Sequence, residues 1–128
     1  MSLILSCVVD RAPKFLTQAV TLLTSLRAAG FVADAENRIL VHVVDQPADD
    51  PRFEPLRRLG AEVRTVAAFG EGPAAWSNKL RQLETPEIRA ARRVILCDAD
   101  LLVLADPRGF FDDAPVRAKI VDRANPPA

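Results

Sequence analysis

The chain has 128 residues, of which 49% are hydrophobic and 27% charged, enough apolar material for one domain with a core, spanning residues 1–128. Lys+Arg and Asp+Glu balance at 17 each, so no net field recruits nucleic acid or an anionic membrane, and any phosphate site has to be local. No apolar stretch reaches the roughly 18 residues of a membrane span, and Ser2–Val9 has no basic lead of the kind a signal peptide carries, so a cytoplasmic protein is expected.

Leu3 to Val9 is a continuous apolar run closed by Asp10, the pattern of a central parallel strand with a polar residue at its carboxyl end. Pro13 opens a helix whose apolar positions, among them Phe15, Leu16, Ala19, Leu22, Leu23 and Leu26, keep a helical period, and Gly30 is its expected C-cap. Arg38 to Val44 is a second strand, ending at Asp45. Asp50-Pro51 reads as a helix start with the carboxylate as N-cap; Pro55 shortens or delays that helix and Gly60 ends it. Ala61 to Val66 alternates apolar and charged residues, as a shorter strand near a sheet edge does.

Ala67 to Pro73, with Gly70 and Gly72, reads as a loop. From Ala74 to Glu84 the spacing of Trp76, Leu80 and Leu83 predicts a helix with those residues in the core, stopped by Thr85-Pro86. The run from Val94 then forms a buried strand, and Pro115 to Val121 a last one. The order of strands and helices predicts an α/β fold, a Rossmann-like three-layer αβα sandwich with a mainly parallel sheet and right-handed crossovers. Cys7 and Cys97 lie in strand-like runs and are expected as reduced core residues.

The chemistry concentrates at Val94 to Leu104, where Asp98 and Asp100 stand one residue apart between apolar runs. Carboxylates at a core edge require a cation, backbone donors or a basic side chain. In an extended chain their spacing sends both side chains the same way, and two hard oxygen donors suit Mg²⁺ or Mn²⁺. Apolar flanks on both sides suggest enclosure. Asp10, Asp45, Asp98 and Asp100 all fall at expected carboxyl ends of strands, where sheets of this class bind ligands. The turn Asp10-Arg11-Ala12-Pro13 has no glycine, and the chain has neither Gly-x-Gly-x-x-Gly nor a P-loop, so phosphates would be held by a metal and side chains.

The segment Leu96-Cys97-Asp98-Ala99-Asp100-Leu101-Leu102-Val103-Leu104 resembles the metal-binding motif of GT-A glycosyltransferases, the nucleotide-diphospho-sugar transferases. Cys7-Val8-Val9-Asp10 and the helix after it are similar to that family's first nucleotide-binding strand and helix. Ser77-Asn78-Lys79-Leu80 resembles the position of a polar or basic group near the donor, and Asp106-Pro107 with Phe110-Phe111 the turn after the motif. The resemblance covers Leu3 to about Asp122 and corresponds to the donor-binding, N-terminal half of the family's domain.

It implies a donor site in which Asp10 contacts the base or ribose, Asp98 the ribose or the metal, and Asp100 the metal on the diphosphate, with Asn78 and Lys79 beside them. The implied cofactor is Mn²⁺ or Mg²⁺, the implied partner a UDP- or GDP-linked sugar, and the implied reaction sugar transfer to an acceptor hydroxyl whose identity the resemblance leaves open. Members normally continue into an acceptor-binding half with a further metal ligand, often a histidine; the one histidine here, His42, lies within a strand.

Plainer readings stand beside these. Asp10 could cap the first helix, Asp45 could serve a turn before Pro47, and His42 could be a satisfied core histidine. Asn78, Lys79 and Arg92-Arg93 could be solvated surface groups. A non-catalytic nucleotide-sugar-binding or protein-interaction module is the alternative function. A haloacid-dehalogenase-like phosphatase also uses Asp-x-Asp at a strand end, but on an early strand and before a small hydroxyl or β-branched residue, whereas Leu101-Leu102 follow here. A half-domain leaves a sheet edge and an apolar face open, so a second copy or a partner chain is expected over them.

Overall fold

A computed structural model describes residues 2–70, 72–111 and 114–118, with the side chains of 72–76 and 110 left aside. Four strands, β1 (Leu3–Val9), β2 (Asn37–Val44), β3 (Ala61–Val66) and β4 (Arg93–Cys97), form one sheet in the order β3-β2-β1-β4. Every pairing is parallel. Helices cover both faces, so the fold is the Rossmann-like αβα sandwich read from the sequence. No helix among the described residues is long and apolar enough to cross a membrane.

Helix α1 (Pro13–Ala28) starts with proline, whose fixed φ suits the first turn, and buries Ala19, Leu22, Leu23 and Leu26. Its end follows from backbone chemistry. Gly30 takes φ +100, its N–H bonds the Arg27 carbonyl at 3.0 Å, and the Phe31 N–H reaches back to the Leu26 carbonyl at 3.2 Å. This Schellman arrangement caps the free carbonyls and turns Phe31 into the core.

At the second helix, Asp50 accepts from the Arg52 N–H at 2.9 Å as the sequence suggested. Pro55 has the delaying effect expected: a 3₁₀ turn, Pro51–Phe53, precedes the short α2 (Glu54–Arg58), and Gly60 at φ +90 ends it.

Alternation along the strands gives the sheet two unlike faces. Leu3, Leu5, Cys7, Val9, Ile39, Val41, Val43, Ala61 and Val63 join α1, Phe31, Phe53 and Leu56 in one apolar core. A smaller cluster on the opposite face holds Ile4, Leu40 and Ile88, the last from α3 (Pro86–Ala90). That second face also carries charge. Arg38 and Glu62 form a two-pronged ion pair with both contacts at 2.8 Å, and Arg64 links Glu62 at 3.1 Å to Glu87 of α3 at 2.9 Å.

Three expectations are corrected. The helix expected over Ala74–Glu84 is a 3₁₀ segment, Gly72–Glu84, and its apolar residues do not face inward: Leu80 and Leu83 are half exposed, while Asn78, Gln82 and Thr85 are buried. The side chain of Trp76 lies outside the described set. Second, the apolar run Leu101 to Leu104 does not enclose the carboxylates: Val103 packs on the core, but Leu101 is half exposed and Leu102 and Leu104 are strongly exposed. Third, residues 115–118 of the expected last strand are irregular, and 119–121 lie outside the described residues.

Gly30 and Gly60 share the left-handed conformation but not their surroundings. A Cβ on Gly30 meets nothing within 4 Å, whereas one on Gly60 lies 2.9 Å from the Ala33 Cβ. Gly30→Ala is therefore expected to lose about 1–2 kcal/mol, the conformational cost alone, and Gly60→Ala clearly more. Urea unfolding followed by circular dichroism separates them, and equal losses would contradict the clash.

Candidate functional site

Connections run from β1 to β2 to β3 on one side, then the chain returns across the sheet to β4 on the other side of β1. Strand order therefore reverses at β1, although the chain after β4 packs on the same face as α1, with Ala99 and Val103 in its core and the Val103 N–H donating to Ser25 Oγ at 2.9 Å. In open parallel sheets ligands bind beyond the carboxyl ends of the strands at such a reversal.

Asp10 directly follows β1. Its Oδ1 accepts the Arg11 N–H at 2.7 Å, and its Oδ2 accepts from Asn78 Nδ2 at 3.1 Å. It does not cap α1, whose N-cap position is Ala12 with no side-chain bond. Asn78 is buried and also accepts the Phe69 N–H at 2.7 Å through Oδ1. One amide thus ties the loop after β3 to the carboxylate after β1. It is no solvated surface group.

Asp98 follows β4, and its Oδ1 lies 3.9 Å from Lys79 Nζ, with both side chains more than 60% exposed. The chain turns over residues 99–100, so the extended geometry expected to aim Asp98 and Asp100 at one point is not present. Burial still alternates: Ala99 packs into the core, and both aspartates stand on the solvent side. Asp45 is a turn residue, with φ 51, and its Oδ1 accepts the Ala68 N–H at 3.2 Å.

The fold thus brings Asp10 to Asn78 and Lys79 to Asp98, on adjacent residues of one 3₁₀ segment. Asp100 is exposed nearby in sequence. Among the described residues no group of three or more His, Cys, Asp or Glu is placed to hold a metal ion. Two exposed aspartates do offer the hard oxygens that Mg²⁺ or Mn²⁺ takes, since such ions often use one or two carboxylates and fill the rest with phosphate and water.

Beneath the segment lies a chain of polar contacts that periodicity alone did not reveal. Ser6 Oγ donates to Gln82 Oε1 at 2.6 Å, and Gln82 Nε2 donates to the Lys79 carbonyl at 2.8 Å. His42 Nδ1 lies 3.2 Å from the Cys7 carbonyl, which can only accept, so Nδ1 carries the proton. The Ser6 oxygen, 3.3 Å away, can take a second branch of that bond. Nε2 then accepts from Thr85 Oγ1 at 2.7 Å. His42 is the satisfied core histidine, and burial lowers its pKa.

Cys7 and Cys97 are in-register neighbours on β1 and β4, both free. Burial pushes their thiols up, to about 12 and about 11. Such thiols are poor nucleophiles, in keeping with core residues.

No family model matches this sequence, and no curated protein matches it. Among solved structures, the crystal structure of S. aureus TarS 1–349 superposes with a TM-score of 0.48 at 16% identity, over 84% of this chain and 30% of that one.

With a single histidine in the chain, stability between about pH 5 and 7 reports on His42. Above the ordinary imidazole value of 6.5 both folded and unfolded chains are neutral there, and the contribution is complete. Below it the unfolded chain takes up a proton that the folded chain resists, so stability falls as pH falls. Urea midpoints should drop from pH 7.5 to 5.5, and His42→Gln should flatten that dependence. A wild-type midpoint unchanged over this interval would contradict a neutral buried His42.

Proposed function

We propose that the crevice at the carboxyl ends of β1 and β4 binds a nucleoside diphosphate sugar together with Mg²⁺ or Mn²⁺, and that the chain is the donor-binding part of a glycosyltransferase of the GT-A kind. The observation that carries this reading is the reversal of strand order at β1, which gathers Asp10 and Asn78 beside Lys79 and Asp98. Without a glycine cradle after β1, side chains and a metal have to receive the phosphates.

In this reading the exposed carboxylates of Asp98 and Asp100 would hold the metal and leave its other positions to the diphosphate, so metal and nucleotide are expected to bind together rather than in turn. The metal supplies Lewis-acid stabilisation of the leaving diphosphate. Lys79 is released from Asp98 to meet a phosphate oxygen. Asp10, fixed by Asn78 and the Arg11 N–H, accepts hydrogen bonds from ribose hydroxyls or a base. The product of transfer is a glycosylated acceptor hydroxyl and a nucleoside diphosphate.

Calorimetric titration of UDP and of GDP, with and without Mn²⁺, tests this directly. Binding is expected only with the metal, with at least a tenfold loss in Asp98→Ala and in Asp100→Ala and a smaller loss in Lys79→Ala. Mn²⁺ alone should bind far more weakly than Mn²⁺ with the nucleotide. A folded chain that binds neither nucleotide under any of these conditions would sink the proposal.

A further inference from the structure

The backbone geometry of a 3₁₀ helix is poor, and a run as long as Gly72–Glu84 is not held by its own preference. Where its residues stand depends on what ties them to the sheet. Three buried side chains do so. Asn78 reaches Asp10 after β1, Thr85 at the end of the run meets His42 of β2, and Gln82 meets Ser6 of β1.

The Gln82 tie differs from the other two in what it holds at its far end. Its Oε1 accepts from Ser6 Oγ at 2.6 Å, and its Nε2 donates to the Lys79 carbonyl at 2.8 Å, so both ends of the amide are engaged. The donors run one way, from His42 Nδ1 to Ser6, from Ser6 to Gln82, and from Gln82 to Lys79. Ser6, His42 and Gln82 are all buried, which keeps these bonds away from bulk water. Lys79 is built the opposite way. Its side chain is more than 60% exposed and its Nζ lies 3.9 Å from Asp98. Its backbone is nevertheless fixed on both sides, by Asn78 just before it and by Gln82 at its own carbonyl.

We infer that Gln82 and Ser6 are positioning residues of the donor site: they set the backbone of Lys79 so that its ammonium, on leaving Asp98, arrives at the diphosphate of the bound nucleotide. This role rests on the nucleotide-sugar reading and gives β1 control of both ends of the ligand, the nucleoside end through Asp10 and the phosphate end through Ser6. A lysine stem is long and freely rotating, so its charge is delivered to one place only when the backbone beneath it is held. The groups that touch a ligand depend in this way on a supporting shell that does not.

Calorimetry on the full chain with saturating Mn²⁺ tests the role, with UDP and inorganic pyrophosphate as probes. Ser6→Ala/Gln82→Met removes both partners of the buried bond, so it should remain folded by circular dichroism, and Gln82→Met alone is the second variant. Each is expected to weaken UDP and pyrophosphate by the same factor, about threefold and no more than Lys79→Ala does, because the loss falls at the phosphate end. In a Lys79→Ala background the same changes should add almost nothing, since Gln82 acts through Lys79. A merely structural role would lower the urea midpoint and multiply with Lys79→Ala. Unchanged binding in a folded variant, a loss for UDP without one for pyrophosphate, losses that multiply, or no loss in Lys79→Ala itself would overturn the inference and leave the nucleotide reading in place. A wild-type chain that binds neither probe with Mn²⁺ would remove that reading and this inference with it.

Discussion

A crossover between parallel strands packs back onto its sheet only when it is right-handed, and this constraint arranges the molecule. From β1 to β2 to β3 the chain advances in one direction, with α1 and α2 on one face. From β3 it has to return past β2 and β1. A right-handed connection in the reverse direction crosses the opposite face, so the 3₁₀ segment and α3 lie there. The same reversal sets Asp10 and Asp98 at the carboxyl ends of neighbouring strands and makes β4 the terminal strand among the described residues.

What covers the second face is decided by what that face presents. Ser6 and His42 lie buried on it, and buried groups of this kind need partners. Each one left unsatisfied costs about 1–3 kcal/mol. Full burial of a leucine returns about 1.5–3 kcal/mol. Turning Leu80 and Leu83 inward would have orphaned the Ser6 hydroxyl, Nε2 of His42 and the Asp10 contact of Asn78, a larger loss than the half-exposed leucines recover. The segment therefore buries Asn78, Gln82 and Thr85 and leaves its leucines half exposed. A 3₁₀ run of 13 residues, where about three or four is usual, fits an element held by specific polar contacts more than by its own backbone preference.

Features with local causes were legible in the sequence. Proline at the start of α1, glycine in the left-handed turns at Gly30 and Gly60, and the Asp50 cap act through their immediate neighbours, and the structure has them where the sequence put them. Apolar runs gave the four strands within a residue or so. Features with distant causes were not legible. The inward side of residues 77–85 depends on Ser6 and His42 sharing one face of the sheet, which follows only from register. The apolar Leu101–Leu104 run suggested enclosure, yet only Val103 packs on the core, because contact with α1 falls on that residue alone among the four and this depends on how the chain leaves β4. For the site, the pairing of Asp10 with Asn78 lies 68 residues apart in the chain and emerges only with the crossover. Asp98 and Asp100 were found by spacing, but the turn at 99–100 replaces the extended geometry on which their convergence rested.

The two halves of the crevice differ in how firmly they are set. On the β1 side the Asp10 carboxylate accepts from a backbone N–H and from a buried amide that is itself fixed by the Phe69 N–H, so its orientation is settled before any ligand arrives. On the β4 side Asp98 meets Lys79 at 3.9 Å, with both groups largely in water. An ion pair so exposed contributes little to stability, since water and salt screen it and two long side chains gain freedom when it opens. Exchanging Lys79 for another cation at Asp98, or Asp98 for another anion at Lys79, therefore costs the fold almost nothing. In the proposed donor site, a rigid acceptor at Asp10 and a pair that can part freely at Lys79 and Asp98 would recognise one end of a ligand by shape and neutralise the other by charge. This division also explains why the charged half tolerates exposure while the amide that orients the other half is buried.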